Sequence, residues 1–242
     1  MIKIGLLIPT TINKRNYEKM MDIDLYKLFL DTFISTYDDE HKYTIYLGVD
    51  EDDNFFIDKD LENLVKNIKN VSIKVIRFED IKKGHLTKMW NVLFDKAYDD
   101  TCDYFYQCGD DISFKNKGWV NKSIATLQLN NNIGVTGPIN TNGNTKILTQ
   151  SFVSRKHMEI FGYYFPTEII NWYCDDWIND VYSPDHIFKL NNYTLLNLGG
   201  EQRYIISKPI NYDDIVKNSK HILYTTLSIK MIRFKKEHLT KM

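Results

Sequence analysis

The sequence predicts an α/β domain built on a mostly parallel sheet that is flanked by helices. In the first half, short apolar strand patterns alternate with stretches of helical periodicity, which is typical of successive strand–helix–strand units. The first strand, residues 2–8 (IKIGLLI), is almost wholly apolar, as expected of a strand buried on both faces. Polar residues follow three of the strands, at Thr10, Asp50 and Asp110–Asp111. In open sheets of this kind, ligands bind outside the carboxyl ends of the strands.

The predicted elements follow one another through both halves of the chain. Further strands are predicted at residues 43–49, 71–78, from 104 onward and at 133–138, with another apolar segment at 147–154. Helices are predicted at residues 18–36, 59–69, 86–98, 118–129 and 156–161, and NWYCDDWINDVY (171–182) is predicted to be a loop that enters a helix. No linker rich in Pro, Gly or Ser separates the two halves, so we predict a single domain whose second half is less regular.

The composition excludes several classes of protein. The chain has 242 residues, of which 43% are hydrophobic and 26% charged, as in an ordinary globular protein. Its formal net charge of −1 provides no general attraction to nucleic acid or to an anionic membrane, so neither is expected as a partner. The three cysteines, Cys102, Cys108 and Cys174, lack metal-ligand spacing. With no signal peptide and no window of transmembrane length, we expect a soluble, cytoplasmic protein.

The segment YFYQCGDDISF, residues 104–114, places two adjacent carboxylates where an aromatic-rich strand ends. Buried together, Asp110 and Asp111 would repel each other unless a positive group lies close to them. Mg²⁺ and Mn²⁺ prefer carboxylate oxygens, and the phosphates of a substrate often complete their coordination. Gly109 permits a sharp turn and the close approach of a ligand. The alternative interpretation is a plain turn in which one aspartate caps the next segment.

Three segments together carry a resemblance to a known family. YLGVDEDD, the block GHLTKMWNVLFDKAYDDTCDYFYQCGDDISF and CDDWI resemble, in this order, glycosyltransferases of the GT-A fold and family-2-like type. The resemblance covers most of residues 1–210. It implies a Rossmann-like GT-A domain with a nucleotide-binding half at 1–115 and an acceptor and catalytic half at 116–210. It also implies a nucleoside-diphosphate sugar donor, expected to be a UDP-sugar, a Mn²⁺ or Mg²⁺ cofactor, and inversion at the anomeric carbon.

The same resemblance implies roles for residues at the strand ends. The short turn after the first strand matches Pro9, Thr10 and Thr11. An aspartate after the second strand contacts the nucleotide base in the family, which matches Asp50. Of the acidic pair, Asp110 is expected to approach the ribose and Asp111 to hold the metal. This sequence departs from the family in having DEDD after the second strand and an adjacent DD pair, which leaves open whether Asp110 also contacts the metal.

A later acidic residue before a helix serves as catalytic base in inverting members, which matches Asp176 or its neighbour Asp175. A divalent ion neutralises the leaving diphosphate, and a base accepts the proton of the acceptor hydroxyl. Aspartate is also a favoured helix N-cap, so Asp175 can cap the helix while Asp176 reaches the site. Trp172 and Trp177 flank the pair, and each is either a platform for an acceptor sugar or part of the core.

Other polar residues are candidates with a structural alternative. Lys88 and Asn91 open the helix before the acidic strand, where they reach a base or phosphate unless they only cover the helix surface. His186 is a reserve candidate for an additional metal ligand, although a lone histidine is more often structural. Arg203 and Tyr204, in GGEQRY, are candidates for contacting phosphate or acceptor, but nothing in their spacing demands it.

Several other functions are weighed against a glycosyltransferase acting on a glycan, glycoprotein or small-molecule acceptor. One is a non-catalytic nucleotide- or glycan-binding protein of the same fold. Another is a sugar-phosphate nucleotidyltransferase, which would carry a Gly- and Arg-rich loop after the first strand, whereas IPTTINKRN has no glycine. An oligomeric scaffold is a third. The sequence lacks the G-x-G-x-x-G, G-x-x-x-x-G-K-[ST] and G-x-S-x-G motifs, which argues against dehydrogenase, P-loop and serine-hydrolase chemistry.

Residues 211–242 are predicted to form a C-terminal extension that partly repeats an earlier segment. SIKMIRFKKEHLTKM (228–242) repeats SIKVIRFEDIKKGHLTKM (72–89) with three residues missing before HLTKM. We interpret the copy as a partial duplication appended to a complete fold. The alternative hypothesis is that the copy competes for the position of the third strand or exchanges between chains, which would produce a homo-oligomer.

Overall fold

An eight-stranded mixed sheet runs through both predicted halves of the chain. The computed structural model describes the backbone of residues 1–239 and the side chains of residues 1–229. The strands are β1 (Lys3–Thr10), β2 (Lys42–Asp50), β3 (Val71–Phe78), β4 (Tyr104–Gln107), β5 (Ile112–Phe114), β6 (Val135–Asn140), β7 (Ser151–Ser154) and β8 (Ile187–Asn197). Their order in the sheet is β3-β2-β1-β4-β7-β6-β8-β5.

Parallel pairing dominates the sheet, as the sequence predicts. Of the seven strand pairings within the described residues, four are parallel, namely β1 with β2 and β4, β2 with β3, and β6 with β8. Strand β7 runs antiparallel to both of its neighbours, and β5 runs antiparallel to β8. Strand β7 therefore links the parallel strands of the first half (β3, β2, β1 and β4) to the parallel pair of the second half (β6 and β8). Both halves belong to a single α/β domain.

Helices cover both faces of the sheet. The helical elements are a 3₁₀ turn (Met20–Asp22), a π-helical stretch (Leu25–Leu30), α1 (Asp31–Thr36), α2 (Asp58–Val65), α3 (Leu86–Asp99), α4 (Trp119–Leu129), α5 (Lys156–Phe161), α6 (Cys174–Tyr182) and α7 (Tyr212–Leu239). The residues from the π-helical stretch to α1, together with α2 and α4, pack into one core layer. Helices α3, α5, α6 and α7 pack into the other. None of the helices described here is long and apolar enough to cross a lipid bilayer.

The apolar first strand shows why the sheet needs both layers. Ile4, Leu6 and Ile8 point into one core layer, whereas Leu7 points into the other, and all four are fully buried. Because side chains alternate along a strand, a strand covered on both faces has no position left for a polar residue. Burying each such side chain contributes roughly 1.5–3 kcal/mol. Strand β1 is therefore held at the centre of the parallel block and ends at Thr10, on the edge where ligands are expected.

Several elements differ from the sequence prediction. The segment 104–114, predicted to supply one strand, forms the separate strands β4 and β5, and helix α7 was not predicted. Residues 18–36, predicted to be one helix, form the 3₁₀ turn, the π-helical stretch and the short α1 in succession. Strand β8 was not predicted, because Lys189, Asn191 and Asn192 interrupt the apolar alternation that indicates a strand. The pairing of β8 with β6 shifts register beyond Pro138, and this irregularity accommodates the polar residues at the surface.

The C-terminal copy of the repeat does not adopt the structure of the original. Ser72 and the residues up to Phe78 belong to strand β3, whereas residues 228–239 continue helix α7. Residues 240–242, at the end of the copy, lie outside the described residues. The first copy fills the position of the third strand, and the described part of the second copy is helical, so it does not compete for that position within this chain. Exchange between chains stays a prediction.

Candidate functional site

The carboxyl ends of strands β1, β4, β6 and β8 surround a cleft of about 600 Å³. The residues that line it come from the strand ends, from the start of α3, from the start of α6 and from the segment that follows β8. Among them are Pro9, Thr10, Thr11, Gly109, Asp110, Asp111, Asn140, Trp172, Asp175, Asp176, Gly199, Arg203 and Tyr204. Of the three strand ends predicted to converge, two meet in this cavity, those of Thr10 and of the Asp110–Asp111 pair, whereas Asp50 does not line it.

Asp110 is almost completely buried at the floor of the cleft, with 1% of its surface exposed. Thr10 Oγ1 donates a hydrogen bond of 2.6 Å to Asp110 Oδ2. The guanidinium of Arg203 donates through Nη1 to Asp110 Oδ1 at 2.8 Å. Both carboxylate oxygens therefore have partners, and the charge of Asp110 is compensated by an arginine 93 residues further along the chain.

Asp111 lies between two glycines that leave room only for its carboxylate. A Cβ added to Gly109 would lie 2.5 Å from Asp111 Oδ1, and one added to Gly199 would overlap Oδ2. Burial and the charge of Asp110 together raise the pKa of Asp111 to about 6, although Arg203 acts in the opposite direction. Arg203 Nη2 approaches Asp111 Oδ2 to 3.7 Å. Asp111 is thus the less compensated member of the pair and the one that a further cation would stabilise.

Arg203 belongs to a network that also includes Asp24 and Arg15. Arg203 Nη2 and Arg15 Nε both donate to Asp24 Oδ2 at 2.9 Å. Arg203 Nε is buried and has no hydrogen-bond partner among the described residues. Burial alone would lower the pKa of Arg203, but the charges of Asp110 and Asp111 raise it above its usual range. The arginine stays charged and supplies the positive group that the acidic pair needs.

The residues around Arg203 lie across the cleft as an irregular segment, residues 199–206, which we call the strap. Its backbone carbonyls accept hydrogen bonds from the loop after β1: Asn13 Nδ2 donates to Arg203 O at 2.7 Å and Lys14 Nζ to Gln202 O at 3.0 Å. Arg15 Nη2 donates to Gly199 O. On the opposite wall, Asn171 Nδ2 donates to Ile205 O at 3.1 Å. The strap therefore bridges the two halves of the cleft.

Asp50 lies behind Thr11 at the end of β2. Thr11 Oγ1 donates to Asp50 Oδ2 at 3.4 Å, whereas the buried Oδ1 has no partner among the described residues. Burial raises the pKa of Asp50. Tyr204 of the strap packs against Gly84 close by, where a Cβ on the glycine would lie 2.8 Å from the tyrosine ring. Burial and then the charge of Asp50 raise the pKa of Tyr204 to about 12.

Asp175 and Asp176 lie in the first turn of α6 and both line the cleft. Burial, followed by the charge of Asp176, raises the pKa of Asp175 to about 6. Burial also raises the pKa of Asp176, for which the second cause is the nearby charge of Asp180. Asp175 Oδ1 accepts the Asp176 N–H at 3.2 Å. Asp175 is the more strongly perturbed carboxylate, and such carboxylates cluster at functional sites.

The two tryptophans that flank this pair have different environments. Trp177 is fully buried, and its Nε1 donates to Ser219 Oγ at 3.1 Å, so it is part of the core under α7. Trp172 is 52% exposed and lines the cleft. Trp172 is therefore the tryptophan that remains available to a ligand.

Besides Asp50, which is buried behind Thr11 and does not line the cleft, three of the predicted site residues are not brought to it, and two of these three lie on α3. Asn91 uses its amide to hold a loop: its Oδ1 accepts the N–H groups of Tyr164 and Phe165, and its Nδ2 donates to Phe165 O. Lys88 is exposed and does not line the cavity. The expected nucleotide contacts of both residues are corrected, because α3 presents other residues to the cleft, namely Leu86, Met89 and Trp90.

The third residue, the expected metal ligand His186, is also corrected. His186 precedes β8 at the amino end of that strand, and its ring lies 6.5 Å from the ring of Tyr224 on α7. The acidic pair lies beyond the carboxyl end of β8, which at ~3.3 Å per residue is roughly 30 Å away. His186 therefore cannot share a metal with Asp111.

The acidic pair itself fits a divalent cation that brings further ligands with it. Asp110 and Asp111 present hard oxygen donors, and the two glycines around Asp111 form a cradle that any side chain would fill. Within the described residues, no group of three or more His, Cys, Asp or Glu side chains is arranged as a complete metal site. A cation here would thus need oxygen atoms from a bound ligand.

The sequence offered little to identify the other residues of the site. Arg15 and Asp24 carry no motif, and the sequence suggests Arg203 and Tyr204 only as candidates for contacting phosphate or acceptor, not as partners of the acidic residues. Their importance arises from pairing over long sequence separations, which a local pattern does not contain. The one available signal was the acidic pair itself, because a buried pair requires a cation from elsewhere in the chain.

Comparison with solved structures places the chain in the class of GT-A-type glycosyltransferase folds. The crystal structure of S. aureus TarS aligns with 81% of this chain, with a TM-score of 0.55 and 12% identity. TarS 1–349 in complex with UDP aligns with 80% of the chain (TM-score 0.53, 12% identity), and TarS 1–349 in complex with UDP-GlcNAc with 84% (TM-score 0.55, 14% identity).

The chain covers 36% of the TarS chain and 59% and 62% of the two TarS 1–349 chains. No protein-family model and no curated protein matches the sequence. At identities this low, the likeness describes the fold, which agrees with the predicted GT-A architecture.

Proposed function

We propose that the protein is a glycosyltransferase that moves a sugar from a nucleoside-diphosphate donor, a UDP-sugar, to an acceptor hydroxyl. The observation that carries the proposal is the Asp110–Asp111 pair, in which Asp110 is buried and Asp111 is partly exposed to a cleft of sufficient size at the carboxyl edge of a GT-A-type sheet. The neighbours of the same fold include TarS structures in complex with UDP and UDP-GlcNAc. These observations support a donor of that chemical class.

In this proposal the first half of the chain binds the nucleotide. Asp50 Oδ1 is a buried acceptor without a partner among the described residues, and it would be satisfied by an N–H donor on the edge of a base. Thr11 orients the Asp50 carboxylate, and Thr10 orients Asp110 close to the expected ribose. Pro9 closes this wall of the cleft.

Asp111, assisted by Asp110, would hold Mn²⁺ or Mg²⁺ together with the donor diphosphate. When bound, such an ion neutralises charge on the leaving diphosphate. The raised pKa of Asp111 supports this role, because a carboxylate that is poorly compensated in the free protein gains most from a cation.

Asp175 is our proposed catalytic base, with Asp176 as its neighbour. A base is most effective when its pKa lies near the working pH, and burial raises the pKa of Asp175 to about 6. Its carboxylate would accept the proton of the acceptor hydroxyl as the new glycosidic bond forms, with the nucleoside diphosphate as leaving group. The exposed ring of Trp172 at the same wall would support the acceptor. This arrangement favours inversion, and NMR analysis of the product anomer would contradict it by showing retention.

The proposal is tested by thermal unfolding with UDP and Mn²⁺, separately and together, on the wild type and on Asp111→Ala. Ligand at a hundred times its dissociation constant stabilises by ~2.7 kcal/mol, which for a chain of this length raises Tm by roughly 5–11 °C. We expect the full shift only when both ligands are present, and its loss in Asp111→Ala. Asp39→Ala, which removes an exposed carboxylate paired with Lys69, is the matched control and should keep the shift.

The outcomes separate the alternatives. No shift with any nucleotide would contradict the proposed donor site. A shift that is unaccompanied by transfer to any acceptor would favour a non-catalytic binding protein of the same fold. Formation of a nucleotide-sugar from a sugar phosphate and a nucleoside triphosphate would favour a nucleotidyltransferase.

A further inference from the structure

The strap fills the same part of the cleft that the proposed donor would need. We propose that residues 199–206 are an internal occupant of the donor site: Arg203 takes the position of the cation and Tyr204 lies beside Asp50, so that cation and nucleotide bind by displacing the strap. The inference rests on the proposed function, because it assumes that the acidic pair receives a cation. It adds a regulatory property to that site, which is closed by the protein's own chain until the donor arrives.

Arg203 is the first step of the argument. Its guanidinium contacts Asp110 Oδ1 at 2.8 Å and approaches Asp111 Oδ2 to 3.7 Å. The other oxygen of Asp110, Oδ2, accepts a hydrogen bond from Thr10. A cation that uses oxygens of both carboxylates would have to replace the guanidinium at one of them at least. With 13% of its side chain exposed, Arg203 is a buried counter-charge whose removal leaves the pair uncompensated.

Tyr204 is the second step. The ring packs against Gly84, and the Tyr204 hydroxyl is hydrogen-bonded with Thr11, the residue whose own hydroxyl donates to Asp50. Asp50 is the residue whose free buried oxygen Oδ1 we assign to the nucleotide base. Arg203 therefore lies against the acidic pair, which is proposed to hold the diphosphate end of the donor through a cation, and Tyr204 lies close to Asp50, which is proposed to bind the base.

The way in which the strap is held is the third step. Besides the ion pairs of Arg203 with Asp110 and Asp24, its attachments are hydrogen bonds from polar side chains, including those of Asn13, Lys14 and Asn171. Ile205 is 90% exposed and Ile206 is 45% exposed, so leaving the cleft costs little hydrophobic burial. The strap can therefore leave the cleft once a cation and a nucleotide replace its polar contacts.

The start of the strap also has the freedom that release requires. Gly200 has a φ of +67°, in the left-handed region that glycine adopts without strain. A Cβ added to Gly200 would meet no atom within 4 Å, so the backbone lies in open space at this point. Rotation about the Gly200 backbone can therefore move the rest of the strap without a clash at its origin.

The first test measures Mn²⁺ affinity without nucleotide, by isothermal titration calorimetry or EPR, on the full chain. If Arg203 competes with the cation, Arg203→Gln should bind Mn²⁺ at least tenfold more tightly than the wild type. Arg77→Gln is the matched control, because it removes the same charge from an ion pair with Asp58 that lies outside the cleft and does not contact the strap. Its affinity should remain within about threefold of the wild type. Equal or weaker Mn²⁺ binding by Arg203→Gln would overturn the inference.

The second test measures UDP affinity in the presence of Mn²⁺ for Tyr204→Ala. Displacement predicts tighter UDP binding, because the variant no longer has a ring to remove from beside Asp50. Weaker UDP binding would overturn the inference, since it would mean that the ring contacts the nucleotide instead. If neither the wild type nor the variants bind Mn²⁺ or UDP, the proposed function itself fails. If all bind equally, only the strap inference fails.

A third measurement needs no substitution and remains valid if a variant does not fold. Trypsin cleaves after Arg203 only when its side chain leaves Asp110. We expect the rate of cleavage between Arg203 and Tyr204 to rise severalfold on adding UDP and Mn²⁺, while cleavage after the exposed Lys66 beyond α2 remains unchanged. Protection of Arg203 by the ligands would overturn the inference.

Discussion

Replacing Asp175 by asparagine should stabilise the protein while abolishing transfer. The carboxylate is held in a buried position where its charge is unfavourable, and burial with the charge of Asp176 raises its pKa from 3.8 to about 6. Asparagine has nearly the same shape, and its Oδ1 can still accept the Asp176 N–H. The substitution thus removes the charge and little else.

The size of the gain follows from the pKa. A carboxyl whose pKa is raised from 3.8 to about 6 on folding destabilises the charged folded state by ~3 kcal/mol above pH 6. The charge also lies in the first turn of α6, where the helix dipole returns ~0.3–1 kcal/mol. The expected net gain of Asp175→Asn at pH 8 is ~2 kcal/mol, or roughly 4–8 °C in Tm.

The stability gained by Asp175→Asn should depend on pH in a definite direction. The folded state binds the proton more tightly than the unfolded state, so the penalty is absent below about pH 4, grows as pH rises through 6 and is complete above it. Urea unfolding of the wild type and Asp175→Asn should therefore show the full gain at pH 8 and no more than about a third of it at pH 4.5. Asp180→Asn, on the exposed side of the same helix, is the control and should show no comparable gain. A variant that is no more stable than the wild type at pH 8 would refute the reasoning.

Two further predictions concern the cleft. Gly199→Ala should abolish the combined effect of Mn²⁺ and UDP on Tm, because its Cβ would overlap the Asp111 carboxylate. Gly162→Ala, at the end of α5 with a φ of +74° and no atom within 4 Å of the added Cβ, is the control and should lose only ~1 kcal/mol of stability and keep the ligand response. Unaltered ligand binding by Gly199→Ala would contradict the proposal that the two glycines around Asp111 leave room for a cation. Trp172→Ala should raise the KM for acceptor with little change in Tm, since the ring is half exposed, whereas Trp177→Ala should destabilise by ~3–5 kcal/mol. An unchanged acceptor KM in steady-state assays would show that Trp172 does not contact the acceptor.

The predictable parts of the fold are those whose burial follows from the pattern of neighbouring residues in the sequence. Strand β1 and helix α3 have continuous apolar or 3.6-residue patterns, and their observed bounds lie within two residues of the prediction. Strand β8 was not foreseen, since its partner strand accommodates polar residues through a register shift that only the assembled sheet defines. The same holds for the helical second copy of the repeat, because tertiary contacts decide between strand and helix for similar residues.

The residues of the candidate site also fall into some that the sequence reveals and others that only the folded structure reveals. The acidic pair and Asp175 could be recognised because adjacent charges beside apolar residues are conspicuous in a sequence. The role of Arg203 could not, because its partner Asp110 is 93 residues away and no local pattern connects the two. Asn91 was misassigned for a related reason: its fit to a distant loop is visible only in three dimensions.

The continuous sheet beneath the cleft has a consequence for the kinetics of ligand entry. Both walls stand on strands of one hydrogen-bonded sheet, so they cannot swing apart as hinged lobes do in enzymes that close around their substrates. Entry and exit must then depend on local motion, of loops in nanoseconds to microseconds and of the strap in microseconds or longer, and not on rotation of the walls as separate domains. We expect stopped-flow traces of nucleotide binding to lack a slow phase attributable to opening of the walls.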